Sequence, residues 1–362
     1  MTLIPLIAFD ALPAGFIIGN RYEVISSLGK GGQGVVYAVL DHHLQEESAL
    51  KILLSSAPSE VWREASLLTR LSGKFLLPVR NADLASGLPF VVTEIAQHGT
   101  TFDEMIPNIG IPPERAVQWV IHASRGASRM HDQGLLHNDL KPENLFLNSN
   151  GDALLGDLGL ASEMNSSGFA PLTGGTPATM SPEVAAAALV AMTGAPIADP
   201  CSVASDVYSL GASLYWLLAG RAPYNGNDVR DTLTRVTAGP PASLSSLTPH
   251  VPRGIRDVVE KSMSRLPSDR YPNAGDFDYA LAKHSYPKRK WSRQPSHPGH
   301  EECFVGVKSK STLEVCASTQ NGSSHMTIAV THQPSGRNAI PLATATRAQL
   351  PQRLRSIFRN FN

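Results

Sequence analysis

The stretch Leu136-His-Asn-Asp-Leu-Lys-Pro-Glu-Asn-Leu-Phe146 sets a carboxylate, a cation and an amide close together, and Asp157-Leu-Gly159 begins thirteen residues after Asn144. Moving a phosphoryl group from a nucleotide to a hydroxyl needs a carboxylate beside the attacking oxygen, a cation beside the moving group, and oxygen ligands for Mg²⁺. Asp139, Lys141 and the pair Asn144 with Asp157 have those types.

Upstream lies Gly29-Lys-Gly31-Gly-Gln-Gly34. Such a glycine pattern alone is ambiguous, because dinucleotide-binding folds use it to open a helix. Here it runs into Val35-Val-Tyr-Ala-Val-Leu40, which reads as a strand. A glycine loop between antiparallel strands can fold over a nucleotide and turn backbone N–H groups toward its phosphates. Lys51 falls in the next strand and Glu64 on a helix-period segment covering 58–71. A strand lysine is commonly a solvated edge residue. Paired with Glu64, it would be held against the α and β phosphates.

The elements that must position these groups follow from periodicity. Arg21–Ile25, Val35–Leu40, Ala49–Leu54 and Leu88–Thr93 read as antiparallel strands. Pro112-Pro-Glu-Arg opens a helix running toward His131, and Asp206–Ala219 is apolar enough to sit inside a core. A strand-rich first piece and a larger helical piece make an α+β, bilobal architecture.

At this point the sequence resembles the protein kinases, over roughly residues 21–283. The family's motifs appear in order as Gly29-x-Gly31-x-x-Gly34-x-Val36, Lys51, Glu64, His137-Asn-Asp139-Leu-Lys141-Pro-Glu-Asn144, Asp157-Leu-Gly159, Ser181-Pro-Glu183 and Asp206, with a late Arg270. Lys141 and Thr176 match the Ser/Thr type, and the pattern is nearest to bacterial eukaryotic-like Ser/Thr kinases. The resemblance implies a protein-kinase fold with a β-rich N-lobe, a hinge near 94–100 and a helical C-lobe from about 101. It implies transfer of the ATP γ-phosphate to protein Ser/Thr hydroxyls, with autophosphorylation and a signalling role. Mg²⁺ is the implied ion, Mn²⁺ the second choice.

Carried onto this chain, Asp139 orients the substrate hydroxyl, Lys141 neutralises the γ-phosphate, and Lys51 with Glu64 holds the other phosphates. Asn144 and Asp157 hold the metal. ATP would lie against Leu28, Gly29, Gly31, Gly34, Val36, Ala49, Lys51, Thr93, Glu94, Ala96 and Phe146. Thr176 and Glu183 belong to the activation segment, Asp206 braces the catalytic loop, and Glu183 pairs with Arg270.

Two departures stand out. Asn138 replaces an arginine that in the family usually meets an activation-segment phosphate; a neutral amide cannot make that charge-assisted contact. Either activity does not require phosphorylation at Ser166, Ser167 or Thr173, or Asn138 supports the loop. The Glu183-to-Asp206 interval is longer than the family usually has and reads as a loop insertion, with substrate docking the alternative.

Across 362 residues, 31 Lys and Arg balance 31 Asp and Glu. The balance hides a division. Residues 284–362 carry eleven basic groups and three Glu, a net of +8, which leaves −8 on residues 1–283. Residues 1–20 read as an extension and 284–302 as a basic, Pro-rich linker. Residues 303–362 read as a small basic β-rich tail of three strands (Cys303–Val307, Ser311–Cys316, Met326–Val330), with Asn321-Gly322 as a hairpin turn. It ends in an amphipathic helix bearing Leu350, Leu354, Ile357, Phe358 and Phe361 on one face. That helix has four candidate partners: an anionic membrane, a partner groove, the acidic kinase piece, or its own fold.

Cys201, Cys303 and Cys316 read as too few and too scattered for a disulfide framework or a zinc ribbon. The expected setting is the reducing cytoplasm. Met1–Asp10 lacks a basic n-region and makes a poor signal peptide. No transmembrane run and no nucleic-acid partner are expected; the partners are ATP and protein substrates. Two rival functions stand beside the kinase reading, a small-molecule phosphotransferase and a non-catalytic pseudokinase scaffold.

Overall fold

The computed structural model describes residues 11–31, 34–53, 71, 73–85, 88–95, 105–284, 287–319 and 324–362. Period-2 patterning builds the first lobe. Strands β1 (Ile17–Ile18), β2 (Tyr22–Gly31), β3 (Gly34–Asp41), β4 (Glu46–Leu53), β5 (Val79–Ala85) and β6 (Leu88–Glu94) form one antiparallel sheet in the order β1-β2-β3-β4-β6-β5. Val35, Tyr37, Val39, Leu50, Ile52 and Val92 point to one face, where Leu12 and Phe16 cover them. Their neighbours Val36, Ala49 and Lys51 therefore line the opposite face, and Lys51 sits across from both Val36 and Val91. Leu53 and Val91, on that second face, join the core of the next lobe.

The C-lobe is helical around α1 (Pro113–Asp132), whose first turn holds Pro113 and Glu114. Short strands follow: β7 (Leu135–Leu136), β8 (Leu145–Leu147), β9 (Ala153–Leu155), β10 (Ser162–Glu163) and β11 (Phe169–Ala170). Helix α2 (Pro182–Ala191), then β12 (Cys201–Ser202), occupy the long interval noted in the sequence, and β12 pairs with β11. Helix α3 (Val203–Ala219) is buried along nearly its whole length. Its Ser209 and Ser213 hydroxyls donate to Thr179 O and Leu140 O, so the helix binds neighbouring loops with polar groups as well as apolar ones. Gly220, at φ 67°, closes it in the left-handed conformation. Helices α4 (Val229–Ala238), α5 (Leu244–Leu247), α6 (Arg253–Ser262) and α7 (Ala274–Ala282) complete the lobe. Among the described residues, no helix is long and apolar enough to cross a membrane.

The tail departs from the sequence reading. Lys290–Gln294, inside the expected linker, is strand β13. It opens a five-stranded antiparallel meander with β14 (Glu302–Lys308), β15 (Ser311–Thr319), β16 (His325–Gln333) and β17 (Ala343–Thr346). The three expected strands are thus five. Asn321 and Gly322 lie outside the described residues. Helix α8 (Leu350–Asn360) lays Leu350, Leu354, Ile357 and Phe358 onto Trp291, Phe304, Val315 and Ile328 of the sheet. Of the four partners weighed for this helix, its own fold covers the apolar face, which leaves that face no membrane or groove to meet.

Arg289, counted as a linker charge, is buried. Its guanidinium donates to Gly306 O at 2.9 Å, Ser311 O at 2.9 Å and Phe361 O at 3.0 Å, joining the entry of the unit to its sheet and its last helix. The unit rests on the C-lobe through the tilted His250–Phe304 ring pair, centroids 5.4 Å apart, and through Arg293 to Asn108 O at 3.0 Å and Arg355 to Ser245 O. The Arg–carbonyl bonds reach neutral acceptors, so these contacts do not depend on the opposite net charges of the two pieces. A cleft of about 940 Å³ remains between α6 and α8, lined by Arg253, Arg256, Arg353 and Arg359 among others.

Candidate active site

Asp206 near the start of α3 holds the loop after β7. Its carboxylate, 1 % exposed, accepts the Asn138 N–H at 3.0 Å, the His137 N–H at 2.9 Å and His131 Nε2 at 2.9 Å. Burial alone would push this carboxyl up; the His131 hydrogen bond and charge, with the His137 donor, outweigh it and hold Asp206 below the usual carboxylate range. Asp206 thus braces the backbone on which Asp139 sits. His137 adds a second brace. The Asp139 N–H donates to His137 Nδ1 at 3.2 Å, so Nε2 carries the proton and meets Gly156 O at 3.2 Å, joining this loop to the strand end before Asp157.

Asn138 has φ 66°, a left-handed conformation that Asn tolerates well. Its amide donates to Leu160 O at 2.9 Å and Ser162 Oγ at 2.7 Å. This uncharged side chain ties the loop bearing Asp139 to the segment after Asp157.

The candidate reactive groups converge from three segments. Lys141 Nζ lies 2.8 Å from Asp139 Oδ2 and donates to Thr176 Oγ1 at 2.9 Å. Thr176 Oγ1 receives that lysine proton and lies 2.8 Å from Asp139 Oδ1, so its own proton points at the carboxylate. Asn144 Nδ2 donates to Asp139 O at 2.8 Å and Oδ2 at 3.2 Å. Across the cleft, Lys51 Nζ meets Asp157 Oδ1 at 2.7 Å. Burial would raise the Asp157 carboxyl, but the Lys51 charge and hydrogen bond leave it below the usual range. Glu64 and Ala96 lie outside the described residues; among the described residues Lys51 pairs with Asp157.

The remaining expected positions are distributed as follows. Val36, Ala49, Thr93, Glu94 and Phe146 are half-buried, and Leu28 is exposed at the mouth. Two of the glycines answer to different demands. A Cβ at Gly29 would meet nothing within 4 Å, so packing does not require glycine there. A Cβ at Gly34 would strike the Ile52 carbonyl, so Gly34 is required by close approach of β3 to β4, where the sequence suggested phosphate access alone. Gly31 ends β2 opposite Gly34. Below the site, Arg270 is buried, and its Nη1 and Nη2 reach Glu183 Oε1 and Oε2, both at 2.7 Å. The sequence did not disclose that His131 and His137 share the bracing, because their partners lie 75 and 19 positions away.

A two-lobed fold, with these groups where the lobes meet, defines the class. The protein kinase domain family matches residues 22–279, and the chain belongs to that family. It is similar to the serine/threonine-protein kinase PknL of Mycobacterium tuberculosis, 32% identical over 270 residues covering 71% of this chain and 64% of the relative. It also resembles a probable serine/threonine-protein kinase, CPE1738, of Clostridium perfringens, at 28% identity over 74% of this chain and 39% of the relative. PknH of Mycobacterium bovis is likewise 28% identical, over 73% of this chain and 43% of the relative. The chain therefore spans less than two thirds of each of these three relatives.

Proposed function

We propose that this chain is an active Ser/Thr protein kinase, transferring the γ-phosphate of ATP to protein hydroxyls and to its own. The observation that carries the reading is the Asp139–Lys141–Thr176 triangle facing the Lys51–Asp157 pair. In this reading Asp139 accepts a hydrogen bond from the substrate hydroxyl, as it does from Thr176, and aligns that oxygen for attack. Lys141 stands beside the moving phosphoryl group, and Lys51 holds the phosphates behind it. The adenine lies against Ala49, Val36, Leu28 and Phe146, with the backbone of Glu94 and Ala96 as its edge partners. The glycine backbone at Gly29 and Gly31 covers the phosphates.

Asn144 and Asp157 offer only oxygen ligands toward a cation. That donor chemistry suits a small hard divalent ion, Mg²⁺ foremost and Mn²⁺ next. When bound, such an ion supplies charge neutralisation at the phosphates. Unpaired thiols suit the reducing cytoplasm as the working compartment. With Asn138 anchored to Leu160 and Ser162, the segment needs no phosphate to be tied down.

Incubation with labelled ATP and Mg²⁺, with and without a generic protein substrate, tests the proposal beside Asp139→Asn. Labelled Ser or Thr that disappears in the variant supports it. Nucleotide binding without transfer points to a pseudokinase scaffold, and label on a small molecule alone to a small-molecule phosphotransferase.

A further inference from the structure

Cys303 and Cys316, read in the sequence as scattered spare thiols, are direct cross-strand partners in β14 and β15. Their side chains leave the sheet on the face opposite Phe304 and Val315, which go into the core under α8. Both are nonetheless buried, at 0% and 7% exposure. The Ser296–Glu301 connection carries His297 and His300 alongside them, held as a turn by the His300 N–H to His297 O bond of 2.9 Å and by Ser296 Oγ to Glu301 O at 2.8 Å. One ligand atom from each of the four side chains falls within 4.8 Å of all the others.

We infer that His297, His300, Cys303 and Cys316 form a tetrahedral zinc site. At Zn–S of about 2.3 Å and Zn–N of about 2.0 Å, a tetrahedral ion sets sulfur and nitrogen about 3.5 Å apart and two sulfurs about 3.8 Å apart. Three of the four sulfur–nitrogen edges already have that length: Cys303 Sγ to His297 Nδ1 is 3.4 Å, Cys303 Sγ to His300 Nδ1 is 3.6 Å, and Cys316 Sγ to His297 Nδ1 is 3.6 Å. The sulfurs, 3.0 Å apart, separate by under an ångström to admit the ion. Two thiolates with two imidazoles select Zn²⁺ over the oxygen-seeking ions of a phosphoryl-transfer site. The ring of His297 is oriented as zinc-bound imidazoles are, with Nδ1 toward the thiols and Nε2 3.4 Å from Glu314 Oε1. Glu314 is itself fixed by the Gln333 amide at 2.6 Å.

Binding exchanges the two thiol protons for the ion. The site clips the connection after β13 to the β14–β15 ladder, and β13 is the strand whose Arg293 touches the C-lobe. Its role is structural, since four protein ligands leave no open position for a reacting molecule.

The test uses the full chain, purified under reducing conditions without chelator. Elemental analysis is expected to find stoichiometric zinc. Exchange into cobalt(II) is expected to give thiolate-to-metal charge-transfer absorption with tetrahedral d–d bands. Cys316→Ser and His300→Ala should each reduce retained zinc and the charge-transfer band by at least about tenfold, while Cys201→Ser should leave both unchanged. Where a ligand variant folds poorly, the wild-type chain titrated with zinc after chelation gives the same answer through recovery of its melting temperature. A folded wild-type chain that takes up no metal, or a Cys303–Cys316 disulfide formed in its place, overturns the inference. So does full zinc retention in a Cys303→Ser/Cys316→Ser variant.

Discussion

Arg270 and Glu183 meet through two parallel hydrogen bonds of 2.7 Å, with the guanidinium buried and also donating to Ala204 O and Ser264 O. The pair clamps the first turn of α2 to the base of the C-lobe. Truncating one partner leaves the other with an uncompensated charge, at a cost of about 3 kcal/mol. Arg270→Ala should therefore lower the denaturation midpoint markedly, and Arg270→Lys should recover only part of it, because an ammonium cannot reproduce the planar fork. Chemical denaturation of the three proteins measures this; an Arg270→Ala chain as stable as wild type would show that the clamp contributes nothing.

Thr176 links Asp139 to Lys141 through one hydroxyl. Thr176→Val keeps the shape and removes that hydroxyl, so Asp139 and Lys141 lose their common partner. We expect kcat to fall by about 10- to 100-fold, with KM for ATP and the melting temperature nearly unchanged, because the hydroxyl acts on orientation. Thr176→Ser should restore most of the rate.

Asn138 already ties the loop bearing Asp139 to Leu160 and Ser162. A Ser166→Ala/Ser167→Ala/Thr173→Ala chain should keep turnover within about twofold of wild type. A loss beyond about tenfold, with the fold intact, would mean that a phosphate is needed after all.

His250 sits buried between the C-lobe and the tail, and burial, aided by the Arg293 charge, drives its pKa from 6.5 down to about 3. Its unfolded form takes up a proton near pH 6.5 and the folded form does not. The stability conferred by neutral His250 is therefore complete above about pH 6.5 and is lost as pH falls toward 3. By pH 5 the loss amounts to about 2 kcal/mol. His250→Phe should flatten that limb of the stability–pH curve, measured by denaturant melts between pH 7 and pH 5.

The loop of the candidate site was legible because its residues are close in sequence. Asp139, Lys141 and Asn144 fall within one short loop, and Asp157 follows after a single hairpin of β8 and β9. Strands β2, β3, β4 and β6 were equally plain, since Val35, Tyr37 and Val39 alternate against a single core, whereas the two-residue β1 and the polar β5 went unread. What stayed hidden depends on register or on distant partners. Strand β13 carries one buried apolar residue, Trp291, amid Lys, Ser, Arg and Gln, so composition spoke for a linker while pairing with Phe304 and Val305 made a strand. Cys303 and Cys316 are thirteen positions apart, a spacing without meaning until a hairpin sets them face to face. Glycine types did not reveal that Gly34 answers to Ile52, a residue of the next strand.

Because β13 begins at Lys290, only seven residues separate it from the end of α7 at Ala282. Fully extended, such a tether reaches roughly 25 Å. The C-lobe consequently faces its tail at an effective concentration in the millimolar range, whatever the dilution of the protein. Undocking is then a unimolecular event, and an outside molecule seeking the surface around His250 competes with a neighbour that cannot diffuse away.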